Sequence, residues 1–359
     1  MPFLNHRIIN EDMLDIYQRD IDWYKLREQT VVITGATGML ASYLSFFLLY
    51  LNEKHSMNIT IILVVRNVVK ARQLFGDYIF NKNLKIYTFD INSPWIIEEK
   101  IDYIIHAASL ASPQYYSVVP VDVAAPNAIG TYYMLRFAHK NHVKKVLFFS
   151  SGDVYGDINI VSGAITENMM GVLDPLDEHS CYGESKRMGE TWCAAFYKQF
   201  DVPVVIARIA HTYSPTMDIR NDPRVFSSFM KCLYEKKDIV MYSDGSAKRP
   251  FCYIADAVAA FFLLLTKGKS GEAYNVCNSA AFITVFALAN ILVKLRPEWN
   301  LKVVSEVRPN HDSYLENPVH RENCPTEGKL KELGWTCHYG IKDGFERVLE
   351  FLQESGYGL

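Results

Sequence analysis

The segment VVITGATGMLASYL, residues 31–44, places a short apolar strand, a glycine turn and an apolar helix in direct succession. Gly35, Gly38 and Ala41 follow one another at intervals of three, and glycine in such a turn lets the backbone approach a pyrophosphate closely. The start of the following helix offers unpaired N–H groups and a favourable dipole to that anion. The alternative is an ordinary turn between a strand and a helix. Because strand, turn and helix occur together, the segment predicts a nucleotide-binding unit.

Short apolar runs alternate with helical patterns from residue 30 to residue 209. Strands are predicted at 59–65, 84–90, 101–108, 144–151 and 202–209, and helices at 39–51 and 125–141. This order predicts βαβ units with right-handed crossovers, and hence a doubly wound parallel sheet. Residues 213–256 are rich in Pro, Asp, Arg and Ser and predict a small lobe with loops. Helices are predicted again at 284–295 and 341–353.

Residues 1–28 read as a leader with a short helix, in which apolar Met13, Leu14, Ile16 and Tyr17 stand among acids. This helix either packs on the main domain, or contacts a second subunit or covers the active site. The leader has no apolar core of the signal-peptide type.

Composition excludes several classes of partner. The net charge is -3 and no basic run interleaves with aromatic residues, so no nucleic-acid partner is expected. The most apolar segments are shorter than the roughly 20 residues that span a bilayer, so no membrane partner is expected. Seven cysteines show no CxxC pair and no metal-ligand spacing, which predicts reduced thiols, a cytoplasmic protein and no metal site.

Candidate cofactor contacts lie in the turn and at the ends of the predicted strands. The second strand ends in Arg66-Asn67 without the acid that usually binds the ribose of NAD. Arg66 can stack on adenine or pair with a 2′-phosphate, or be a solvated strand-end residue, so NAD and NADP both stay open. The full predicted set is Gly35, Thr37, Gly38, Met39, Leu40, Arg66, Asp90, Ile91, Ala107, Ala108, Ser109, Tyr182 and Lys186.

The chemical centre is predicted from Ser150-Ser151 at a strand end and from Tyr182 and Lys186. Tyrosine and lysine at this spacing lie on one face of a helix. An ammonium next to a phenol favours the phenolate, so the tyrosine can accept a proton from a hydroxyl group near neutral pH. The serine hydroxyl can bond to the same oxygen. A YxxxK pattern alone is weak, but it is specific when it follows a glycine turn and a Ser-Ser strand end.

Together these motifs resemble the extended short-chain dehydrogenase/reductases of the nucleotide-sugar epimerase/dehydratase group. The resemblance covers residues 29–355 and rests on TGATGMLAS, HAAS, NAIGT (127–131), SSGDVYG (150–156), YGESK (182–186) and YSDGSAKRPFCYIAD (242–256). It implies an α/β fold with a Rossmann-type doubly wound parallel sheet and a smaller C-terminal substrate lobe. Residues 1–28 would be a leader helix, 29–210 mainly the cofactor-binding domain and 211–359 mainly the sugar-nucleotide-binding lobe, with the lobes interleaved. A homodimer through helices that include the tyrosine helix is also implied.

The same resemblance assigns roles. It implies Ser151, Tyr182 and Lys186 as a catalytic triad, with Asp153 as a further catalytic residue. Arg249 and Arg224 would hold the diphosphate of the substrate, as planar bidentate cations do; the alternative for Arg249 is an ion pair within the lobe. The predicted substrate-binding set is Ser112, His179, His211, Arg224 and Arg249.

Within the group, the run from Glu167 to Arg187 and the segments ARIAHTYSP and NDPRVFSSF are most similar to the UDP-glucuronate decarboxylases. Those enzymes oxidise C4 of the sugar, so that the C5 carboxylate becomes part of a β-keto acid and is lost as CO2. The chain departs from them at Asp153, where they carry glutamate, at His179, where they carry arginine, and at His211, where they carry asparagine. Asp153 can also serve as a cap or turn residue, and both histidines as polar lining.

Other reactions stay open. A nucleotide-sugar 4-epimerase or an NADPH-dependent 4-ketosugar reductase needs only the Ser, Tyr and Lys set, and Arg66 favours the reductase. A 4,6-dehydratase is disfavoured because Gly152 stands where that reaction places an acid. A non-catalytic NAD(P)-sensing protein is disfavoured because Ser151, Tyr182 and Lys186 are all present.

Overall fold

The computed structural model describes residues 3–158, 163–306 and 323–356. Its strands are β1 (Thr30–Thr34), β2 (Thr60–Val65), β3 (Leu84–Thr88), β4 (Tyr103–His106), β5 (Lys145–Ser151), β6 (Val204–Ile209), β7 (His211–Tyr213), β8 (Ile239–Met241), β9 (Lys248–Tyr253), β10 (Ala273–Val276), β11 (Phe282–Thr284) and β12 (Val303–Ser305). Its α-helices are α1 (Arg7–Gln18), α2 (Met39–His55), α3 (Val68–Phe75), α4 (Pro120–Ala125), α5 (Thr131–Lys140), α6 (Cys181–Phe200), α7 (Val225–Tyr234), α8 (Ile254–Lys267), α9 (Val285–Val293), α10 (Gly328–Glu332) and α11 (Ile341–Ser355).

Seven strands form one sheet in the order β3-β2-β1-β4-β5-β6-β10. Every neighbouring pair in it is parallel. The strand order reverses between β1 and β4, and open α/β sheets bind ligands in the crevice outside the carboxyl ends at such a point. The predicted doubly wound parallel sheet is confirmed. Its edge strand β10 comes from residues 273–276, so the C-terminal part of the chain also contributes to this sheet.

The sheet is covered on both faces, as strands of a parallel sheet require. Successive residues of a strand point to opposite faces. Val31 and Ile33 accordingly pack in one apolar cluster with helices α2 and α8, whereas Val32 packs in the other. Phe149 and Phe148 divide in the same way, and Phe148 lies on the face that α6 covers.

The helical stretch predicted over 125–141 is present, but its first residues form a wider turn than the pattern indicated. Helix α4 ends at Ala125, a π-turn covers Pro126–Gly130, and α5 begins at Thr131. Pro126 has no N–H to donate to the preceding turn, which widens the helix at this point. The Nδ2 atom of Asn127 donates to the Val123 carbonyl oxygen at 2.9 Å and also to Ser185 Oγ at 3.1 Å. The widened turn therefore brings an amide into contact with α6.

The remaining strands form two small sheets. Strand β9 pairs with β7 in parallel and with β11 in antiparallel, and β8 pairs with β12 in parallel. Helices α7, α9 and α11 pack against these strands and one another. Among the described residues, no helix is long and apolar enough to span a bilayer.

Helix α1 of the leader is part of the core. Its side chains Ile8, Ile9, Met13 and Ile16 are fully buried, and it packs against α8 and α11. These contacts favour the packing interpretation of the leader over a role as a cover of the active site.

A buried acid ties α1 to three other elements. Both carboxylate oxygens of Asp12 are bonded: Arg347 of α11 donates to Oδ1 at 3.0 and 2.7 Å, and Tyr253 donates to Oδ2 at 2.7 Å. Tyr43 of α2 donates to the same Oδ2. Burial raises the pKa of Asp12 to about 6, while Arg347 and the two hydroxyls oppose that rise. At neutral pH the side chain is therefore an anion that depends on Arg347.

Replacing Arg347 with Met should lower the free energy of unfolding by about 3–5 kcal/mol, because Asp12 would become a buried anion without a cation. Arg7→Met is the control: Arg7 also bonds acids of α1 and α11, but its side chain is 50% exposed, and pairs of that kind contribute at most about 1 kcal/mol. Urea unfolding followed by circular dichroism measures both. Equal losses would contradict this account of the leader.

Candidate active site

The glycine turn lies against the end of β4. Gly35 has a φ of 63°, and a methyl group added there would lie 2.7 Å from the Cα atom of Ala108. The N–H of Gly38 donates to the Gly35 carbonyl oxygen at 2.8 Å, and α2 begins at Met39 without a side-chain cap. The turn therefore presents backbone and a helix N-terminus, the arrangement that binds phosphate groups. Thr37 lies in the turn, and Leu40 lies in the first turn of α2.

Thr34 connects this turn to β4, a role that the sequence analysis missed. Its Oγ1 atom accepts from the N–H groups of Ala107 and Ala108, both at 3.1 Å, and lies 2.9 Å from His106 Nδ1. With both acceptor positions occupied, the hydroxyl donates to the imidazole. Burial lowers the pKa of His106 to about 3, so the ring is neutral and can accept that proton. The sequence signal was a threonine ending the strand before the turn.

The ends of β2 and β3 are more open. Arg66 follows β2 and its side chain is exposed. Asp90 lies two residues beyond β3, and its Oδ1 accepts from the N–H of Asn92 at 3.0 Å, which shapes the turn that leads to buried Ile91. Both positions flank the crevice at the carboxyl edge of the sheet. Their contacts with a cofactor stay predictions.

Tyr182 and Lys186 lie on α6, as their spacing predicted. The Lys186 ammonium donates to the carbonyl oxygen of Phe149 at 2.6 Å and lies 5.7 Å from the centre of the Tyr182 ring. Its side chain is only 2% exposed, and burial lowers its pKa to about 7. Lys186 is therefore held between strand β5 and the phenol, where loss of its proton falls near physiological pH.

Several of the predicted site residues change the pKa of the Tyr182 phenol. Burial raises its pKa, and the charge of Asp153 raises it further. The Ser151 hydroxyl, the Arg224 guanidinium and the Ser109 hydroxyl each lower it. The backbone N–H of Asp153 donates to Ser151 Oγ at 3.1 Å, which fixes the serine at the end of β5. The phenol of the protein alone is thus neutral, and its ionisation needs added positive charge.

Tyr116 packs on Tyr182 and was not predicted as a site residue. Its ring stacks on that of Tyr182 with a centre-to-centre distance of 5.2 Å and an interplanar angle of 14°. It is 3% exposed and packs with Val123 and Leu110. Tyr116 lies on the segment between β4 and α4 that also carries Ser112. One loop tyrosine among twenty-two tyrosines offers no signal in the sequence.

The predicted substrate residues come from several elements. Arg224, directly before α7, bonds Asp222 through Nε at 2.9 Å and acts on the Tyr182 phenol. His211 begins β7, two residues after Ile209, the register partner of Ser151. Arg249 lies on β9, whose Phe251 is the register partner of His211. His179 precedes α6, and its Nδ1 lies 3.0 Å from Asp177.

A buried ion pair lies next to this centre. Glu190 of α6 and Arg208 of β6 are bonded through two contacts of 3.0 and 2.7 Å. Ser150 donates to the same carboxylate at 2.5 Å. Glu190 follows Lys186 by four residues, a spacing that was visible in the sequence but carried no signal without its partner on β6.

Gly35→Ala should lower the free energy of unfolding more than Gly76→Ala does. Both glycines have positive φ, which costs another residue on the order of 1–3 kcal/mol. A methyl group at Gly76 would meet no atom within 4 Å, whereas at Gly35 it would collide with backbone. The collision should add about 2 kcal/mol. Urea unfolding of both variants tests this, and equal losses would show that the turn can move away from β4.

Comparison with known proteins assigns the family. Residues 31–277 match the family model described as the NAD dependent epimerase/dehydratase family. UDP-glucuronic acid decarboxylase 6 of Arabidopsis thaliana is 29% identical, over 89% of this chain and 88% of that protein. The structure of UDP-glucose 4-epimerase from Thermotoga maritima with UDP-glucose superimposes with a TM-score of 0.76 at 22% identity, covering 91% of this chain and 99% of that one. UDP-glucuronic acid 4-epimerase from Bacillus cereus, in complex with UDP-glucuronic acid and NAD, gives 0.74 at 20% identity, covering 91% and 100%.

These two structural likenesses concern the fold, and the family model spans the glycine turn, the Ser151 strand end and the Tyr182 helix. The predicted resemblance is thereby confirmed, and the chain belongs to the NAD-dependent epimerase/dehydratase family.

Proposed function

We propose that the protein is an NAD-dependent nucleotide-sugar enzyme that oxidises UDP-glucuronate at C4 and releases CO2 from C5. The observation that carries the proposal is that the Ser151 hydroxyl and the charges of Asp153 and Arg224 act on the Tyr182 phenol, while the Lys186 ammonium lies 5.7 Å from the centre of its ring. Curated relatives that match nine-tenths of the chain are UDP-glucuronic acid decarboxylases.

The crevice fits a dinucleotide. Gly35 leaves backbone uncovered beside the N-terminus of α2. Ser112 Oγ and Asn127 Oδ1 are buried and make no hydrogen bond within the described part of the chain, so a bound ligand can supply their partners. We assign NAD rather than NADP because the family is NAD-dependent. NAD bound there would supply the hydride acceptor for the oxidation at C4 and the hydride donor for the later reduction.

The side chains then transfer protons and stabilise charge. Tyr182 takes the proton of the C4 hydroxyl, which bonds Ser151 as well, and Lys186 holds the phenolate by its charge. The resulting C4 ketone makes the C5 carboxylate labile to loss as CO2. The enolate left by the loss of CO2 takes up one proton at C5, which comes from solvent through the carboxyl group of Asp153. Tyr182 returns its proton when the ketone is reduced again.

The substrate residues divide by charge. Arg224, directly before α7, and Arg249 of β9 are assigned to the diphosphate, for which bidentate guanidinium groups are suited. Ser112, His179 and His211 are assigned to the sugar.

A nucleotide-sugar 4-epimerase is the second candidate. The observation that favours it is His179, where the decarboxylases carry arginine: its imidazole already faces Asp177 at 3.0 Å. An epimerase uses the same oxidation at C4 and keeps the carboxylate.

Incubation of the purified protein with UDP-glucuronate, with NAD, with NADP and with neither, should yield a product lighter by the mass of CO2. Mass spectrometry of the sugar nucleotide measures this. An unchanged mass with a changed retention time identifies the epimerase. An unchanged substrate contradicts both proposals.

Tyr182→Phe should reduce turnover of UDP-glucuronate by about 10²- to 10⁴-fold, because the general base is lost, while NAD binding persists. Tyr197→Phe, a half-exposed position on the same helix, is the matched control and should keep full turnover. Isothermal titration with NAD separates the two effects. Full turnover by Tyr182→Phe would exclude this catalytic role.

We also propose a cytoplasmic homodimer. All seven cysteines are free thiols, as expected in a reducing compartment. Helices α4 and α6 contact each other and, with the π-turn between α4 and α5, leave Val121, Ile129 and Met188 exposed by 75, 49 and 37%. The resemblance predicts that a second copy of this chain covers this apolar surface.

Met188→Glu should convert the dimer to a monomer, because it would place a charge in the apolar contact. Val69→Glu on α3, where valine is 59% exposed, is the control and should stay dimeric. Light scattering after size-exclusion chromatography measures the mass. A monomeric wild-type protein would contradict the proposal.

A further inference from the structure

Glu190 and Arg208 form a salt bridge inside the protein, directly behind the predicted catalytic groups. Glu190 is 8% exposed and Arg208 is 5% exposed. The guanidinium donates two hydrogen bonds to the carboxylate. The hydroxyl of Ser150, the neighbour of Ser151, donates a third. A buried pair of this kind gains little net stability over apolar residues of the same volume. Its place in the site therefore calls for another explanation.

The pair acts on Lys186. Glu190 lies one helical turn beyond Lys186 on the same face of α6, and its charge raises the pKa of the lysine against the effect of burial. Arg208, on β6, balances that charge.

The other titratable groups around Lys186 carry little charge or lie nearer to the phenol. On α6, burial keeps the Cys193 thiol protonated and raises the pKa of Tyr182. On β4, His106 is neutral because its pKa is about 3. Asp153, after β5, acts on the phenol. The turn between α4 and α5 faces α6 with Asn127, which carries no charge.

We propose that the Glu190–Arg208 pair is a positioning element that sets the charge of Lys186, and through it the pH range in which Tyr182 can act as a base. Glu190 favours the ammonium form, and Arg208 limits that effect and holds the carboxylate in place. Ser150 links the same carboxylate to the strand end that carries Ser151. The proposal rests on the function proposed above for Tyr182 and Lys186.

Opposite shifts of the pH profile test this role. Removing an anion lowers the pKa of each neighbouring group, and removing a cation raises it. In the pH profile of kcat/KM, each limb is described by an apparent pKa. Glu190→Gln should therefore move the limb that reports Lys186 to lower pH, and Arg208→Gln should move it to higher pH, each by on the order of one unit. The sign holds whichever limb reports Lys186. A purely structural pair would lower turnover in both variants without moving the limbs apart.

Glu190→Asp keeps the charge and should hold the limb near its wild-type position. Glu272→Gln is the control: Glu272 bonds Lys329 and Lys269 just before β10, at the amino edge of the sheet, and should leave the profile unchanged. Thermal melting verifies folding. If Arg208→Gln does not fold, the contrast between Glu190→Gln and Glu190→Asp still decides, and equal profiles for these two would overturn the proposal.

The pH dependence of NAD affinity, measured by titration calorimetry, is an independent readout. Lys186 lies beside the cofactor crevice, so the pH dependence of NAD affinity should also shift to lower pH in Glu190→Gln and to higher pH in Arg208→Gln. A wild-type protein that binds NAD but does not change UDP-glucuronate would refute the proposed function, and the affinity profile would then test the pair by itself. Unmoved limbs in both readouts would refute the pair's role.

Discussion

The close backbone approach between the glycine turn and the end of β4 is the constraint on which the rest of the site depends. Gly35 has no side chain where a methyl group would lie 2.7 Å from Ala108 Cα. Thr34 fastens this contact by accepting two N–H groups from β4. Because the strand order reverses between β1 and β4, the contact also defines the crevice in which a dinucleotide can lie. The hydrogen bonds of Thr34 thus join the phosphate turn to the end of β4, and the missing Cβ atom of Gly35 permits their close approach.

Burial shifts the pKa values of Tyr182 and Lys186 in opposite directions. It raises the pKa of Tyr182 and lowers the pKa of Lys186 to about 7, so burial disfavours the charged form of both side chains. A phenolate beside an ammonium, the pair that base catalysis needs, must be favoured by further charges. Arg224 favours the phenolate, and Glu190 favours the ammonium. Catalytic competence therefore depends on groups that lie outside the Ser, Tyr and Lys motif.

Local patterns predicted most of the fold. The strand at 31–34 and the helix from Met39 appear where the apolar runs placed them, and Tyr182 and Lys186 share one helix, because these features follow from side-chain periodicity. The π-turn at Pro126 was not predicted because the sequence pattern is helical on both sides of it, and the widened turn depends on hydrogen bonds from Asn127 and Thr131. The stack of Tyr116 on Tyr182 and the pair of Glu190 with Arg208 join residues 66 and 18 positions apart. Only the tertiary fold creates such contacts.

The fate of the sugar after oxidation depends on how its carboxylate is held. Loss of CO2 requires the bond from C5 to the carboxyl carbon to lie nearly perpendicular to the plane of the C4 ketone, so that its electrons can enter the carbonyl system. A guanidinium can fix a carboxylate with two parallel bonds. The imidazole of His179, whose Nδ1 faces Asp177, can offer only one more. Asp153 also reaches less far than a glutamate at that position. Decarboxylation and epimerisation share the oxidation step, so the orientation of the carboxylate, and not the power to oxidise C4, is the property on which the two proposed outcomes differ.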